Sequence, residues 1–259
     1  MRSVPKNALT AMRLTALRLT AALLTAALLT GQTARSETAP DGAAAPRADV
    51  AGGTATDPLQ LKAWTAAAFA AYEQGRTEAA QVLYLRAARG GDATAAYNAA
   101  VIRINGESRH PLLGEALVLL RSSAAAGFVD AQLMIASLHE QGLHLPASAA
   151  MAMVWLRRAA DGGSIAAQLA LGTRYFLGRD VAPDETEAAR WYGKAADAGD
   201  VGAQYILASM YEKGIGVAAD LDQALAWYGA AARQGDIAAA LKAKEVVERL
   251  AAQSRPTDR

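Results

Sequence analysis

The chain has 259 residues, of which 53% are hydrophobic, and its 26 basic and 25 acidic residues give a net charge of +1. This near balance gives no general reason to expect nucleic-acid binding. The chain contains no cysteine, so disulfides and thiolate metal sites are excluded and the redox compartment cannot be inferred. Its length suits either one long repeat array or two small domains.

Residues 1–34 have the pattern of a signal peptide. Basic residues precede an uncharged run of 12 residues, Leu19–Thr30, which suits a signal-peptide core and is short for a membrane span. The absence of acidic residues also fits a mitochondrial presequence, and an uncleaved membrane anchor is a third alternative. Cleavage after Ala34 would leave 22 basic and 25 acidic residues and a net charge of −3.

Residues 35–56 are rich in alanine, proline and glycine and carry few large apolar groups. Such a segment cannot offset the entropy of ordering by burial, so we expect a disordered linker. The folded region is predicted to start at Asp57, an N-cap followed by a proline at the first helical position. Its first two helices are expected at 59–74 and 77–89, and residues 252–259 are expected to form a disordered tail.

The region between these segments repeats every 36 residues. A glycine closes each unit, at Gly91, Gly127, Gly163, Gly199 and Gly235. A large apolar residue follows the same period, at Leu83, Leu119, Trp155, Trp191 and Trp227. Such a fixed period is the signature of a stacked repeat array. The expected units are 57–91, 92–127, 128–163, 164–199 and 200–235, followed by a capping helix at 236–251 with a polar side.

Each unit is predicted to contain two helices, as the last complete one illustrates. Asp200 caps a first helix at Val201–Lys213, because its carboxylate can accept from free amides of the first turn. Gly214 ends that helix. Asp220 then caps a second helix that stops at Gly235. Paired alanines let the helices approach closely, and the repeated tryptophan fills space toward the neighbouring unit.

The pattern AQYxLxxxYExGxGVxxDxxxAxxWYxxAAxxG at 203–235 resembles the Sel1-like repeat, a relative of the tetratricopeptide repeat with a longer loop. The resemblance extends over about residues 57–251 and is tightest over 164–235. It implies an all-α fold, a right-handed α/α solenoid of helix pairs. Unit 92–127 departs from it, with Leu119 and Leu120 in place of the Trp-Tyr pair, and the first unit has a shortened loop.

No motif in the sequence indicates catalysis. His139 and His144 are five residues apart, whereas the zinc-protease motif needs two histidines four apart on one helical face. There is no Gly-x-Ser-x-Gly nucleophile motif, and Gly214–Gly216 lacks the third glycine and the preceding strand of a phosphate loop. The sequence therefore predicts a non-enzymatic protein without a metal site or a cofactor.

By resemblance to tetratricopeptide arrays, the first helix of each pair is expected to line an inner groove. The groove residues are predicted to be Tyr97, Asn98, Val101, Leu133, Ser137, Thr173, Tyr205 and Ser209, with Met134, Leu169, Ala170 and Ile206 beside them. This lining is small, neutral and partly apolar, which suits a helix or an extended peptide of another protein better than a phosphate-rich ligand. The alternative is that several of these residues only pack between units.

The resemblance implies an exported bacterial scaffold, periplasmic or secreted, that binds a segment of another protein. It does not imply nucleic-acid binding or a membrane span after signal cleavage. Similar proteins act as adaptors in envelope signalling, including periplasmic regulators of exopolysaccharide production. Two alternatives are a cell-wall or glycan-binding factor and a penicillin-interacting, β-lactamase-like enzyme. The last would need an arrangement of active-site serine and lysine that the sequence does not show.

Overall fold

The structure, a computed structural model, describes residues 57–109 and 112–253. The described residues form eleven helices and contain no strand, which confirms the all-α prediction. The helices are α1 (Pro58–Glu73), α2 (Thr77–Arg89), α3 (Ala93–Ile104), α4 (Leu113–Ala125), α5 (Val129–Gln141), α6 (Ala149–Asp161), α7 (Ile165–Leu177), α8 (Glu185–Asp197), α9 (Val201–Lys213), α10 (Leu221–Arg233) and α11 (Ile237–Gln253). The predicted signal peptide and linker, and residues 254–259 of the predicted tail, lie outside the described residues.

Each helix packs against its neighbours in the sequence, so α1 to α10 form five consecutive pairs that stack as a solenoid, and α11 packs on α10. The first pair lies within one residue of its predicted bounds, and α9 has the predicted bounds. No helix among the described residues is both long enough and apolar enough to cross a bilayer.

The predicted caps explain why the helix bounds were readable from the sequence. The side chain of Asp200 accepts a hydrogen bond from the amide of Ala203 at 2.8 Å. Asp220 accepts from the amides of Asp222 and Gln223, both at 2.9 Å. Gly214 ends α9 in a left-handed conformation with a φ of 70°. Local chemistry therefore fixes the start of α9 and α10 and the end of α9 independently of packing.

The core is a column of alanines covered by larger side chains. The repeated alanines at 80, 116, 152, 188 and 224 are at most 1% exposed. Trp191 is also 1% exposed and packs with Leu156 on α6 and Leu171 on α7, so it fills space toward the preceding unit as predicted. Trp155 and Trp227 are only partly buried. The three tryptophans are therefore not equivalent, although they share one repeat position.

The last helix, α11, packs through Ala239 and Val246, which are both 0% exposed. Its outward side exposes Ile237 and Leu241, 78% and 62% respectively, beside charged residues. The outer side of α11 is therefore mixed rather than uniformly polar. Its role as the cap of the solenoid stays a prediction.

Candidate functional site

The histidines do not form a site among the described residues. Nδ1 of His139 lies 3.0 Å from the carbonyl oxygen of Pro146, so a protonated Nδ1 donates to the loop that follows α5. His110 lies outside the described residues. Within 57–109 and 112–253, no group of three or more His, Cys, Asp or Glu side chains is placed to hold a metal ion.

The predicted groove residues fall into two sets. The first set shares one repeat position on α3, α5, α7 and α9 and consists of Tyr97, Leu133, Leu169 and Tyr205. The ring of Tyr97 packs on Phe128 with centroids 5.1 Å apart, and Tyr205 meets Tyr228 edge-on at 5.3 Å. Tyr97 is only 6% exposed. This set packs mainly against other helices, and little of the Tyr97 ring is available to a partner.

Burial and hydrogen bonding also keep two of these rings neutral. Burial raises the pKa of Tyr97, and the charge of Asp130 adds to the shift. Burial and a hydrogen bond to Glu212 raise the pKa of Tyr228. Both phenols, which like any ordinary tyrosine are protonated at neutral pH, therefore also stay protonated into alkaline solution and contribute packing rather than charge.

The second set leaves side chains open to solvent. Thr173 and Ile206 are exposed, and Asn98, Ser137 and Ser209 are half-buried, whereas Val101 is buried at 5% exposure. We refer to the five accessible residues as the first-helix surface: Asn98, Ser137, Thr173, Ile206 and Ser209. They occupy two repeat positions, three residues apart, on the first helix of four successive units, so they share one side of the solenoid.

The first-helix surface is uncharged, and its hydroxyls are already oriented by neighbours. The hydroxyl of Thr173 donates to the carbonyl oxygen of Leu169 at 2.9 Å and lies 3.0 Å from the hydroxyl of Tyr192. The side-chain amide of Gln141 donates to the hydroxyl of Ser137 at 2.8 Å. These contacts provide neutral donors and acceptors beside the apolar side chain of Ile206. They can bind a polar backbone and an apolar side chain, and they offer no nucleophile or general base.

The cation Arg174 pairs with carboxylates and not with residues of the first-helix surface. Arg174, with a side chain 12% exposed, bridges Glu140 on α5 and Asp180 after α7. The bridge to Glu140 joins two successive units. Because these charges are partnered within the protein, they are held for structure rather than left to recruit a ligand.

Three glutamines at one repeat position are buried. Their side-chain amides donate to carbonyl oxygens near the end of the preceding helix: Gln132 to Ala124 at 3.0 Å, Gln168 to Ala160 at 3.0 Å and Gln204 to Ala196 at 3.2 Å. Each of these carbonyls also accepts from the amide of the glycine that closes its unit, so the glutamine adds a second hydrogen bond at the helix end. The recurrence of glutamine every 36 residues was the signal that could have identified this structural role.

The sequence interpretation also missed a pocket of about 390 Å³ between α2, α3 and α4. It is lined by Leu85, Arg89, Arg103, Gly114, Glu115, Val118 and Leu119. None of the eight predicted groove residues lines it. The sequence feature that marks this pocket is Leu119, which stands where three later units carry the larger tryptophan.

Comparison with known proteins agrees with this architecture. The Sel1 repeat family model matches residues 129–164, 165–200 and 201–236. A Sel1 repeat protein from Oxalobacter formigenes is 34% identical, with a TM-score of 0.58, and the match covers 64% of this chain and 49% of that one. A protective antigen from uropathogenic Escherichia coli with an SLR fold is 26% identical, with a TM-score of 0.63, over 76% of this chain and 43% of the antigen.

The chain thus spans less than half the length of either solved relative. No curated protein is significantly similar to it. The 36-residue period, the consecutive helix pairs and the three matched repeats together show that residues 129–236 of this chain are Sel1 repeats.

Proposed function

We propose that this protein is a non-enzymatic scaffold, exported to the bacterial envelope, that binds a peptide or helix segment of another protein along the first-helix surface. The observation that supports this most is the accessible, uncharged row on α3, α5, α7 and α9. Sel1 repeats are protein-binding modules in general, and a continuous row on one side of a solenoid suits an extended partner.

The composition of the row favours a protein segment over an anionic ligand. Thr173 and Ser209 supply hydroxyls, Asn98 supplies an amide, and Ile206, 37% exposed, supplies apolar area. An extended peptide needs such neutral partners for its backbone and shallow apolar contacts for its side chains. The binding role of Tyr97, Val101, Leu133 and Tyr205 belongs to this proposal as well, although their packing contacts limit the area they offer.

The proposed location is the periplasm, and the proposed role is that of an adaptor in envelope signalling or exopolysaccharide regulation. This part rests on the signal-like residues 1–34 and on the resemblance of the repeats. Fusion of residues 1–40 to a reporter that is active only outside the cytoplasm tests it. Export of the reporter supports the envelope role, and retention in the cytoplasm would refute it.

Mutation of the first-helix surface tests the binding role. Ile206→Asp places a charge on the row, whereas Val154→Asp places one at a position on α6 that is 44% exposed and lies outside the row. With a purified envelope partner, we expect Ile206→Asp to weaken binding by roughly 1–3 kcal/mol, as for an interface hot spot. Val154→Asp should bind like the parent.

Both variants need a thermal melt beside the titration, because loss of the fold would imitate loss of binding. A folded Ile206→Asp variant that binds with the parent affinity would remove this part of the first-helix surface from the proposal. The inter-helix loops would then be the next region to mutate.

A further inference from the structure

The pocket between α2, α3 and α4 lies where the repeat is irregular. Two units further along the chain, the equivalent junction of α6, α7 and α8 is filled by Trp191, which is 1% exposed. At the pocket, the position of that indole is taken by Leu119. The side chain of leucine is smaller than that of tryptophan, so Leu119 fills less of the junction of α2, α3 and α4 than Trp191 fills at its counterpart.

The filled junction shows what chemistry this place in the fold accepts. Around the ring of Trp191, Nζ of Lys194 lies 3.9 Å from the centroid, and the guanidinium carbons of Arg157 and Arg190 lie 6.0 Å from it. Cations beside an aromatic ring are attracted by the negative face of the ring. The fold therefore already holds one buried aromatic ring among cations at the equivalent junction.

The open junction holds its cations at other positions, because Leu85, Val118 and Ser122 replace the three cations around Trp191. Arg89 and Arg103 stand instead where the filled junction has Asp161 and Tyr175. Asp161 pairs with Lys194 at 3.2 Å in the filled junction, and the equivalent residues of the pocket are Arg89 and Ser122. The equivalent of Asp161 is thus a cation, Arg89, and the equivalent of Lys194 is the uncharged Ser122. Among the described residues, no carboxylate forms a salt bridge with Arg89.

The second cation of the pocket is Arg103, which is 8% exposed. Its Nη1 donates to Glu115 at 2.6 Å, and its buried Nε has no hydrogen-bond partner among the described residues. The charge of Arg103 is thus matched by Glu115, but its Nε lacks an acceptor, and no described carboxylate forms a salt bridge with Arg89. The pocket therefore has apolar walls at Leu85 and Leu119 and an excess of one positive charge.

We propose that this pocket binds the C-terminal aromatic residue of a partner peptide. The ring would lie on Leu85, Val118 and Leu119, and the terminal carboxylate would pair with Arg89 and Arg103. A C-terminal aromatic residue holds a ring and a carboxylate a few bonds apart. This matches a pocket of about 390 Å³ that has apolar side chains on one part of its wall and arginines on another. This site is separate from the first-helix surface.

The test titrates the full-length protein with three hexapeptides that differ only at the C-terminus, with binding followed by isothermal calorimetry. One ends in tryptophan with a free carboxylate, one ends in tryptophan with an amide, and one ends in alanine with a free carboxylate. We expect the first to bind at least about tenfold more tightly than either of the others, which corresponds to the loss of one good contact. Equal binding of the acid and the amide, or of tryptophan and alanine, would overturn the proposal.

Two variants link the binding to this pocket. Leu119→Trp fills the pocket with the residue of the later units, and we expect it to abolish binding without lowering the melting temperature. Val118→Glu adds a negative charge at a rim position that is 65% exposed, and we expect it to weaken binding about tenfold. The matched control is Val82→Glu, at the same repeat position, 66% exposed and outside the pocket lining.

The proposal stands if Val118→Glu weakens binding and Val82→Glu does not. It is overturned if both glutamate variants bind like the parent or if both weaken binding equally. Because Val118 is exposed, that variant decides the matter even if Leu119→Trp fails to fold. Failure of this site would leave the first-helix surface untouched, since no residue is shared between the two.

Discussion

Gly216 lies directly against the backbone of Glu185, so close that a Cβ added to Gly216 would be 2.0 Å from the carbonyl oxygen of Glu185. Gly216 also has a φ of 67°, which disfavours other residues. The loop between α9 and α10 therefore rests on the first residue of α8, in the preceding unit. This contact joins two units through backbone atoms rather than through the side-chain core.

The variant Gly216→Ala should destabilise the protein by more than roughly 2 kcal/mol, because the left-handed conformation costs about 1–2 kcal/mol and the backbone must also move. Urea unfolding measures the loss. Gly235→Ala is the control, since Gly235 has a φ of 96° but no atom within 4 Å of the added Cβ. Equal losses for the two variants would show that the contact with Glu185 adds nothing to stability.

The tryptophan positions should differ in their contribution to stability. Trp191→Ala removes a side chain that is 1% exposed, so we expect a loss of about 3–5 kcal/mol. Trp155→Ala and Trp227→Ala should cost less, because both rings are only partly buried. Because the three tryptophans share one repeat position, the repeat pattern alone predicts similar losses at all three. Chemical denaturation of the three variants, side by side, distinguishes the two expectations.

Tyr84 should make the protein less stable as the solution becomes alkaline. Burial, with the charge of Glu73 adding to it, raises the pKa of Tyr84 to about 12. In the unfolded chain the phenol ionises near its ordinary pKa of about 10. Between these values the unfolded state loses a proton that the folded state keeps, so the free energy of unfolding falls as the pH rises.

Tyr84→Phe removes this ionisation and should make the free energy of unfolding fall less steeply between about pH 10 and pH 12. No described residue accepts a hydrogen bond from the hydroxyl of Tyr84, so the variant should differ little from the parent at neutral pH. Urea unfolding at a series of pH values measures both effects. A decline as steep as that of the parent would show that Tyr84 is not responsible for it.

The helix bounds were predictable because their signals are local. Asp200 and Gly214 fix the ends of α9 through the chemistry of single turns, whatever packs nearby. The repeat period then carried the assignment from one unit to the others. This is why α2 and α9 agree with the sequence prediction over their whole length.

Burial of individual repeat positions was not predictable in the same way, because it depends on residues in neighbouring units. Tyr97 is covered by Phe128, which occupies the N-cap of the next unit without a capping side-chain hydrogen bond. Trp191 and Trp227 share a repeat position but differ in exposure. The period identifies which positions are equivalent, and only the packed neighbours decide how much of each side chain remains open.

The central claim, that a partner protein binds along the first-helix surface, is tested most directly by photocrosslinking in cells. A photoreactive amino acid replaces Ile206 in one variant of the full chain and Val154 in the other, so that both probes are exposed and only the first lies on the row. We expect the photoreactive residue at position 206 to form a discrete adduct with one envelope protein, and the residue at position 154 to form none. Adducts of equal yield from both positions, or none from position 206, would contradict it.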